Sequence, residues 1–188
     1  MKNLKMIIIL LFTVCSIGSY AQEKYGTTVN FGLGIGGYSG YYRNTGVLLP
    51  VVHLDVEFDV AKNFTLAPFI NFYSYTTRYH LKNPDREYIH RVKIIPVGVK
   101  ATYYLDGLLQ AGPKWDFYLG GSLGFVLVRS TWNDYYYYNN NFYTGYYATH
   151  GNGLYVDGHL GVEYHINERV GIYLDLSNGL STAGIAIH

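Results

Sequence analysis

Four ionisable residues recur at alternate positions in the segment 154–166. They are Asp157, His159, Glu163 and His165. Alternate side chains of a β-strand point to the same face, so the four groups are expected to lie together, with His53 nearby. Imidazole and carboxylate groups of this kind could hold a metal ion or act as an acid and base pair. We predict a structural lattice of salt bridges and hydrogen bonds instead, because interior polar groups must be paired in any case. The sequence thus predicts no metal ion and no other cofactor.

Neither of two further sequence patterns, a nucleotide-binding fingerprint and a catalytic serine set, predicts an enzyme. Residues 32–37 read GLGIGG, which matches the letters of the G-x-G-x-x-G nucleotide fingerprint. That fingerprint must follow a strand and open a helix, whereas these glycines lie inside an alternating segment. The sequence assigns no histidine partner to Ser74, Ser122 or Ser177, so no Ser-His-acid set stands out. We therefore predict no catalytic residues.

The candidate residues all belong to segments in which apolar and polar side chains alternate. The stretch 52–60, VHLDVEFDV, places an ionisable side chain at every second position. A period of two is typical of a β-strand with one apolar face. Eight segments show this pattern, at 28–38, 51–60, 64–76, 90–105, 116–128, 154–166, 170–177 and 182–188. Their connections are long at 39–50, 77–89 and 130–152, intermediate at 106–114 and short at 61–63 and 167–169; only 178–181 breaks the alternation by being short. Long loops at one end and short turns at the other are typical of an up-and-down transmembrane barrel.

The N-terminal residues predict export from the cytoplasm. Two lysines precede an apolar run that ends at Ile17, and Ala21 supplies a small residue at the expected cleavage point. This layout is that of a secretory signal peptide over residues 1–21, which leaves residues 22–188 as one barrel domain. The only cysteine is Cys15, so the mature domain is expected to have no disulfide and no thiol nucleophile. The net charge of +1 argues against a nucleic-acid partner.

The composition indicates which face of the strands meets water. Charged residues make up 14% of the chain, against roughly 25% in soluble domains. Glycines on the polar face, such as Gly32 and Gly124, would weaken an outer surface but make room inside a narrow barrel. A basic residue facing lipid at mid-bilayer costs roughly 2 to 4 kcal/mol. The ionisable residues are therefore expected to form a lumenal network of His53, Asp55, Glu57, Lys100, Asp157, His159, Glu163 and Asp175. The predicted fold class is all-β, an eight-stranded antiparallel up-and-down transmembrane β-barrel with no open channel.

Two stretches of the chain are typical of a known family of barrels. They are 95–104, IPVGVKATYY, and 171–181, GIYLDLSNGLS. With the expected signal peptide, they make the chain resemble the small outer-membrane β-barrel proteins of Gram-negative bacteria, of the OmpA-like or OmpW-like barrel-domain type. The resemblance implies a location in the cell outer membrane, in contact with its lipid and lipopolysaccharide. Pro96 lies inside a strand, where we expect a bulge.

The resemblance also implies a class of function. It favours a non-enzymatic protein with an envelope-structural or surface-interaction role. Two alternatives stay open, a lipid-modifying barrel enzyme and an accessory subunit of a secretion or translocation system. Mass changes in lipopolysaccharide incubated with the protein would distinguish the enzyme from both binding functions.

Four basic residues are expected to face outward at the extracellular ends of their strands. They are Arg78, Arg91, Lys93 and Arg129. If Tyr104 pairs with Asp116, Arg91 stands opposite Arg129, which is unfavourable unless an anion lies between them. Lipopolysaccharide phosphates lie at this depth, and arginine binds phosphate well. We predict a phosphate clamp, the alternative being that these side chains simply extend into the headgroup region.

The segment 133–147, NDYYYYNNNFYTGYY, is expected to form the tip of the longest extracellular loop. Its aromatic residues are Tyr135, Tyr136, Tyr137, Tyr138, Phe142, Tyr143, Tyr146 and Tyr147. Tyrosine gives large, rigid contact area and asparagine gives adaptable hydrogen bonding, a mixture found in binding loops. We predict a surface interaction loop for a glycan or protein partner. The alternative is that the first tyrosines extend the strands above the aromatic belt.

Overall fold

The computed structural model describes residues 26–36, 48–82, 85–109, 112–138 and 141–188. The expected signal peptide at 1–21, with Cys15, lies outside these residues, and so does most of the expected connection 39–50. None of the helices in the described ranges is long and apolar enough to cross a membrane.

Eight strands and one short helix make up the described part of the chain. In order they are β1 (Thr27–Gly36), β2 (Leu48–Ala61), β3 (Phe64–Lys82), β4 (Asp85–Tyr104), α1 (Asp106–Leu109), β5 (Trp115–Tyr138), β6 (Asn141–Asn167), β7 (Val170–Ser177) and β8 (Leu180–Ile187). Each strand pairs antiparallel with the next, and β1 pairs with β8 from Val29↔Ile187 to Gly36↔Leu180. The sheet is therefore a closed up-and-down barrel, as the alternating segments predicted.

The two faces of the strands have the polarity opposite to that of a water-soluble protein. On the outside, Phe31 is 50% exposed and Leu123 is 62% exposed. On the inside, Asp55 is 1% exposed and Lys100 is 5% exposed. Because successive side chains alternate between the faces, this orientation holds along each strand. The predicted apolar exterior and ionic interior are confirmed.

Glycines inside the barrel make room for tyrosine side chains. A Cβ atom on Gly161 would overlap the ring of Tyr118, and one on Gly32 would overlap the hydroxyl of Tyr173. Tyr118, Tyr155 and Tyr173 are all buried in the lumen. A barrel of eight strands is only just wide enough for its side chains, so each large ring needs a small neighbour. Within the glycine letters 32–37, Gly32 belongs to this packing, and Gly34 allows the close approach of Ser181 and Thr182 on β8.

Tight turns join the strands at one end of the barrel. Lys62 and Asn63 connect β2 to β3, and Asn63 adopts a φ of 58°, a left-handed conformation that asparagine tolerates well. Residues 168 and 169 connect β6 to β7, while the 106–109 helix lies in the β4–β5 connection. We call this the turn end, and the opposite end, where β3 and β5 finish, the hairpin end.

Aromatic side chains lie on the outside of five neighbouring strands, β2 to β6, near the turn end. They are Phe58, Phe64, Tyr103, Trp115, Phe117 and Tyr164. The ring of Trp115 lies 4.7 Å from that of Tyr164 and 6.4 Å from that of Phe117. Such aromatic positions are typical of membrane–water interfaces.

At the hairpin end, four strands are longer than the sequence predicted. The β3–β4 ladder continues to Lys82↔Asp85, and the β5–β6 ladder continues to Tyr138↔Asn141. The expected long connections 77–89 and 130–152 are therefore wrong, since backbone pairing occupies almost all of both segments. Polar and aromatic residues on both faces obscured the period-two signal there. Cross-strand aromatic pairs such as Tyr79↔Tyr88 suit an extended ladder.

Pro96 does not form the bulge that the sequence predicted. The register between β4 and β5 passes through Pro96↔Val126 without a shift. Between β3 and β4, pairing is interrupted from Ile70↔Val97 to Tyr73↔Ile94 with the register unchanged. Because proline has no N–H to donate, the β3–β4 ladder is interrupted beside Pro96. No extra residue is inserted in either strand.

Candidate functional site

Lys100 on β4 lies at the centre of a charged network inside the barrel. Its Nζ atom is 3.5 Å from a carboxylate oxygen of Asp55 on β2 and 3.5 Å from one of Asp175 on β7. Asp55 also accepts a hydrogen bond from Asn30 at 2.8 Å and lies 2.8 Å from the ring of His53. A buried cation thus connects strands that do not neighbour one another in the sheet.

Glu57 extends this network toward the turn end. It accepts hydrogen bonds from the hydroxyl of Tyr104 at 2.9 Å, from the amide of Asn30 at 3.3 Å and from the hydroxyl of Thr65. Both Glu57 and Tyr104 are buried. These bonds satisfy a carboxylate that would otherwise be costly to keep away from water.

The structure brings together Ser122, His159 and Asp175, a set that the sequence did not assign. The Ser122 Oγ atom lies 2.8 Å from His159 Nε2, and His159 Nδ1 lies 2.7 Å from Asp175 Oδ1. This order of contacts is that of a hydrolase triad. The adjoining lumenal cavity, lined also by His53 and Lys100, has a volume of about 10 Å³, which is room for about one water molecule. No acyl substrate fits there, so the arrangement acts as part of the lumenal network.

Asp157 on β6 binds the β7–β8 turn. Its carboxylate accepts hydrogen bonds from the backbone amides of Gly179 at 2.9 Å and Leu180 at 3.1 Å. The hydroxyls of Ser177 and Tyr155 donate to the same carboxylate at 2.8 Å and 3.0 Å. The role of Asp157 is therefore to hold the β7–β8 turn in place.

Glu163 and His165 take part in a separate cluster at the turn end of the lumen. His188, which follows β8, lies with its Nε2 atom 2.7 Å from Glu163 Oε1. His165 lies with its Nε2 atom 2.7 Å from Asp116 Oδ2 and its Nδ1 atom 3.9 Å from Glu163 Oε1. The hydrogen bond with Glu163 raises the pKa of His188 above the usual histidine value. Sequence reasoning missed Asp116 and His188 because their positions depend on the register of β5 with β6 and on barrel closure.

The four predicted phosphate-binding residues all lie on β3, β4 and β5 at the hairpin end. Arg78, Arg91, Lys93 and Arg129 are exposed. The expected pairing of Arg91 with Arg129 is wrong, because Tyr104 pairs with Tyr118 and not with Asp116. The register is shifted by two residues, so Lys93 stands opposite Arg129 and Arg91 opposite Thr131.

The basic residues are still gathered on one surface. Arg91, Lys93 and Arg129 line an open cavity of about 190 Å³, together with Ile89, Thr131, Asn133 and Tyr146. Arg78 stands opposite Ile89 on the neighbouring strand. His150 on β6, which the sequence did not single out, pairs with Arg129 and is also exposed. We call the residues Arg91, Lys93, Arg129 and His150 the basic patch.

The tyrosine-rich segment is a β-hairpin rather than a loop. Tyr135 to Tyr138 belong to β5, and the residues from Phe142 to Tyr147 belong to β6. Their backbones pair from Tyr135↔Thr144 to Tyr138↔Asn141. Tyr146 is 62% exposed, and it lies beside the basic patch.

Comparisons with known proteins find likeness in shape alone. No protein-family model matches the sequence, and neither does any curated protein. The N-terminal β-barrel domain of Pseudomonas aeruginosa OprF is 10% identical, with a TM-score of 0.42 over 86% of this chain and 96% of that one. Neisserial surface protein A is 11% identical, with a TM-score of 0.44 over 86% and 93%. Ail, the attachment invasion locus protein of Yersinia pestis, is 7% identical, with a TM-score of 0.42 over 86% and 92%.

These likenesses are too distant to carry an argument about this chain. The eight-stranded barrel that the family resemblance implied is established by the order and pairing of the strands themselves.

Proposed function

We propose that the protein is a non-enzymatic β-barrel of the bacterial outer membrane, with an envelope-structural role and surface contacts at its hairpin end. One observation carries the proposal, an abrupt change on the outside of the barrel from apolar to basic side chains. Ile95 pairs with Leu127 in one outward row, and Lys93 pairs with Arg129 in the next. The two rows are about 7 Å apart along the strands. A change from hydrocarbon to headgroups at a membrane surface would favour this sequence of residues.

The basic patch is suited to lipopolysaccharide phosphate. Lys93 pairs directly with Arg129, and His150 is next in the same row; the like charges of Lys93 and Arg129 repel one another. A phosphate group among them would replace this repulsion with charge-assisted hydrogen bonds. The hydroxyl of Thr131 and the side chain of Asn133 border the same cavity and offer further polar contacts.

Lipid co-purification tests this part of the proposal. The triple variant Arg91→Gln, Lys93→Gln, Arg129→Gln should carry less lipopolysaccharide than the wild type after extraction in mild detergent, measured as bound phosphorus. A matched control removes three exposed cations at the turn end, with Lys62→Gln, Lys114→Gln and Arg169→Gln. Equal lipid content in both variants would mean that the basic side chains only extend into the headgroup region.

The β5–β6 hairpin is the second proposed contact surface, for a glycan or a protein partner. Its ladder continues beyond Arg129 to Tyr138↔Asn141, which at about 3.4 Å per residue adds roughly 30 Å of strand. The hairpin would thus present its tyrosine and asparagine residues well above the membrane surface. An accessory role in secretion or translocation would use the same surface.

A register-preserving deletion tests the hairpin. Residues 135–144 can be replaced by Asn-Gly, which reconnects Asp134 to its partner Gly145 through a two-residue turn. The barrel should fold, and partners cross-linked to it in intact envelopes should be lost. The matched control replaces residues 80–87 with Asn-Gly between the paired Tyr79 and Tyr88. Cross-linked partners that survive the first deletion would contradict the proposed surface.

A further inference from the structure

The cluster at the turn end of the lumen gathers metal-binding side chains from separate strands. Glu163 and His165 are two residues apart on β6 and both point inward, while the pairing of β6 with β7 and of β7 with β8 brings His188 beside them. One ligand atom from each residue lies within 4.8 Å of the other two. We propose that Glu163, His165 and His188 bind a divalent transition-metal ion of the zinc class.

The two distances from Glu163 to the histidines need only small adjustments to suit such an ion, and all three ligand atoms lie within 4.8 Å of one another. Zinc binds imidazole nitrogen and carboxylate oxygen at about 2.0 to 2.2 Å in tetrahedral geometry, which separates ligand atoms by roughly 3.3 Å. Glu163 Oε1 is 2.7 Å from His188 Nε2 and 3.9 Å from His165 Nδ1. Movements of about 0.6 Å, in opposite directions, would bring both pairs to that separation. Side-chain rotations supply such movements without any change in the strands.

Each histidine has a second partner that orients it toward Glu163. Asp116 Oδ2 lies 2.7 Å from His165 Nε2, so the carboxylate favours the tautomer that leaves Nδ1 free as a ligand. Thr28 Oγ1 lies 2.9 Å from His188 Nδ1 and can accept its hydrogen, which leaves Nε2 as a ligand. Metal-binding histidines almost always have such a partner on the other nitrogen. Asp116 and Thr28 are therefore positioning residues.

The backbone around the cluster leaves space for its side chains. A Cβ atom on Gly171 would overlap the carboxylate of Glu163. Gly171 pairs with His165 on one side and with Ala186 on the other. His188 is fixed in place by its backbone amide, which donates to the carbonyl oxygen of Arg169 at 3.0 Å. Gly171 and Ala186 thus leave space for the ligand side chains, and the backbone hydrogen bond to Arg169 keeps His188 beside them.

The chemistry of the ligands selects the class of ion. Two imidazoles and a carboxylate suit zinc and its neighbours nickel and copper better than calcium or magnesium, which prefer oxygen ligands alone. The ion would join the residue that follows β8 to β6 across β7, beside the β8–β1 seam that closes the barrel. Sequence reasoning weighed a metal site at Glu163 and His165 and preferred a structural lattice, and it placed neither His188 nor Asp116 near them.

Titration of the purified full-length barrel in detergent, after removal of metals with a chelator, tests the site. Wild-type protein should bind one Zn²⁺ ion, seen by calorimetry, and one Co²⁺ ion, with the visible absorption of a tetrahedral site. Glu163→Gln and His188→Gln should each weaken Zn²⁺ binding at least 100-fold. The control His150→Gln, an exposed histidine of the basic patch, should bind as the wild type does. Asp116→Asn should weaken binding 10- to 100-fold, as expected for a positioning residue.

Heat-dependent migration on gels checks that each variant is folded before it is titrated. If Glu163→Gln and His188→Gln are folded and bind Zn²⁺ as tightly as the wild type, the proposal is wrong. It is also wrong if the wild type shows no saturable binding of Zn²⁺ and no Co²⁺ spectrum. These outcomes are independent of lipid and partner binding, which concern the other end of the barrel.

Discussion

At the scale of single residues, Lys100 illustrates how an ionic interior is stabilised. The side chain is buried between Asp55 and Asp175, and its nitrogen also lies 5.4 Å from the centre of the Tyr118 ring. An interior charge is tolerated when its partners are present and becomes costly when one of them is removed.

Lys100→Met should therefore destabilise the barrel by about 3 to 5 kcal/mol, because two buried carboxylates lose their common cation. Adding Asp55→Asn and Asp175→Asn should recover part of that loss, since the two side chains closest to the missing cation are then neutral. Urea unfolding in detergent or lipid vesicles, followed by tryptophan fluorescence, measures the effect. Lys93→Met, at an exposed outer position, serves as the control and should change stability little. Equal unfolding midpoints for Lys100→Met and Lys93→Met would contradict this account of Lys100.

Ser122 should not act as a nucleophile despite its contact with His159. The cavity beside it holds about one water molecule, so a fluorophosphonate probe should not label the folded wild type. Ser122→Ala should lower stability by roughly 1 to 3 kcal/mol, because a buried ring nitrogen loses its partner. Lipopolysaccharide incubated with the protein should keep its mass. Labelling or a mass change that Ser122→Ala abolishes would instead support the lipid-modifying enzyme.

At the scale of strands, the packing of small against large residues limits the interior of the barrel. Gly161 on β6 lies against the ring of Tyr118 on β5, its directly paired neighbour. Gly153, further along the same strand, has nothing within 4 Å of the position of a Cβ atom. The two glycines thus offer a matched comparison within one strand.

Gly161→Ala should destabilise the barrel by about 1 to 3 kcal/mol, because the added methyl group forces Tyr118 out of place. Gly153→Ala should leave the unfolding midpoint unchanged or raise it slightly, since it has space and reduces the freedom of the unfolded chain. Both are measured by the urea unfolding described for Lys100. A Gly161→Ala variant as stable as Gly153→Ala would mean that the lumen is less tightly filled than the contacts indicate.

The strands also show which features of the fold the sequence could predict and which it could not. Alternation predicted which face of β2 or β5 points inward, because the period of two depends only on neighbouring residues. Alternation does not predict register, because register is decided by contacts between strands. The expected pair Arg91 and Arg129 is therefore wrong, and Arg91 pairs with Thr131 instead. The same limit concealed the contact of Ser122 with His159 and that of Glu163 with His188, each of which joins residues from different strands. Strand length at the hairpin end was missed because period-two alternation weakens where no face is apolar.

At the scale of the whole molecule, the central feature is the reversal of polarity. The outside of the barrel is apolar between the aromatic residues of the turn end and the basic patch. The inside holds the network of charged and tyrosine side chains together with an apolar cluster that includes Val51, Phe69, Val92 and Ile94. About 9 to 11 residues of tilted strand cross a bilayer. β7 and β8 have 8 residues each and are slightly shorter than that, whereas β3 to β6 have 19 to 27 and extend well beyond it.

Collision measurements on spin labels test this reversal most directly. The chain from residue 22 onward has no cysteine, so single labels can be placed at Leu123 and Leu174 on the apolar band and at His150 in the basic patch. In lipid vesicles, oxygen should reach the labels at 123 and 174 far more readily than a water-soluble nickel complex does, and the order should reverse at 150. A nickel complex that reaches all three labels equally, with a protein that stays monomeric in water without detergent, would contradict the account.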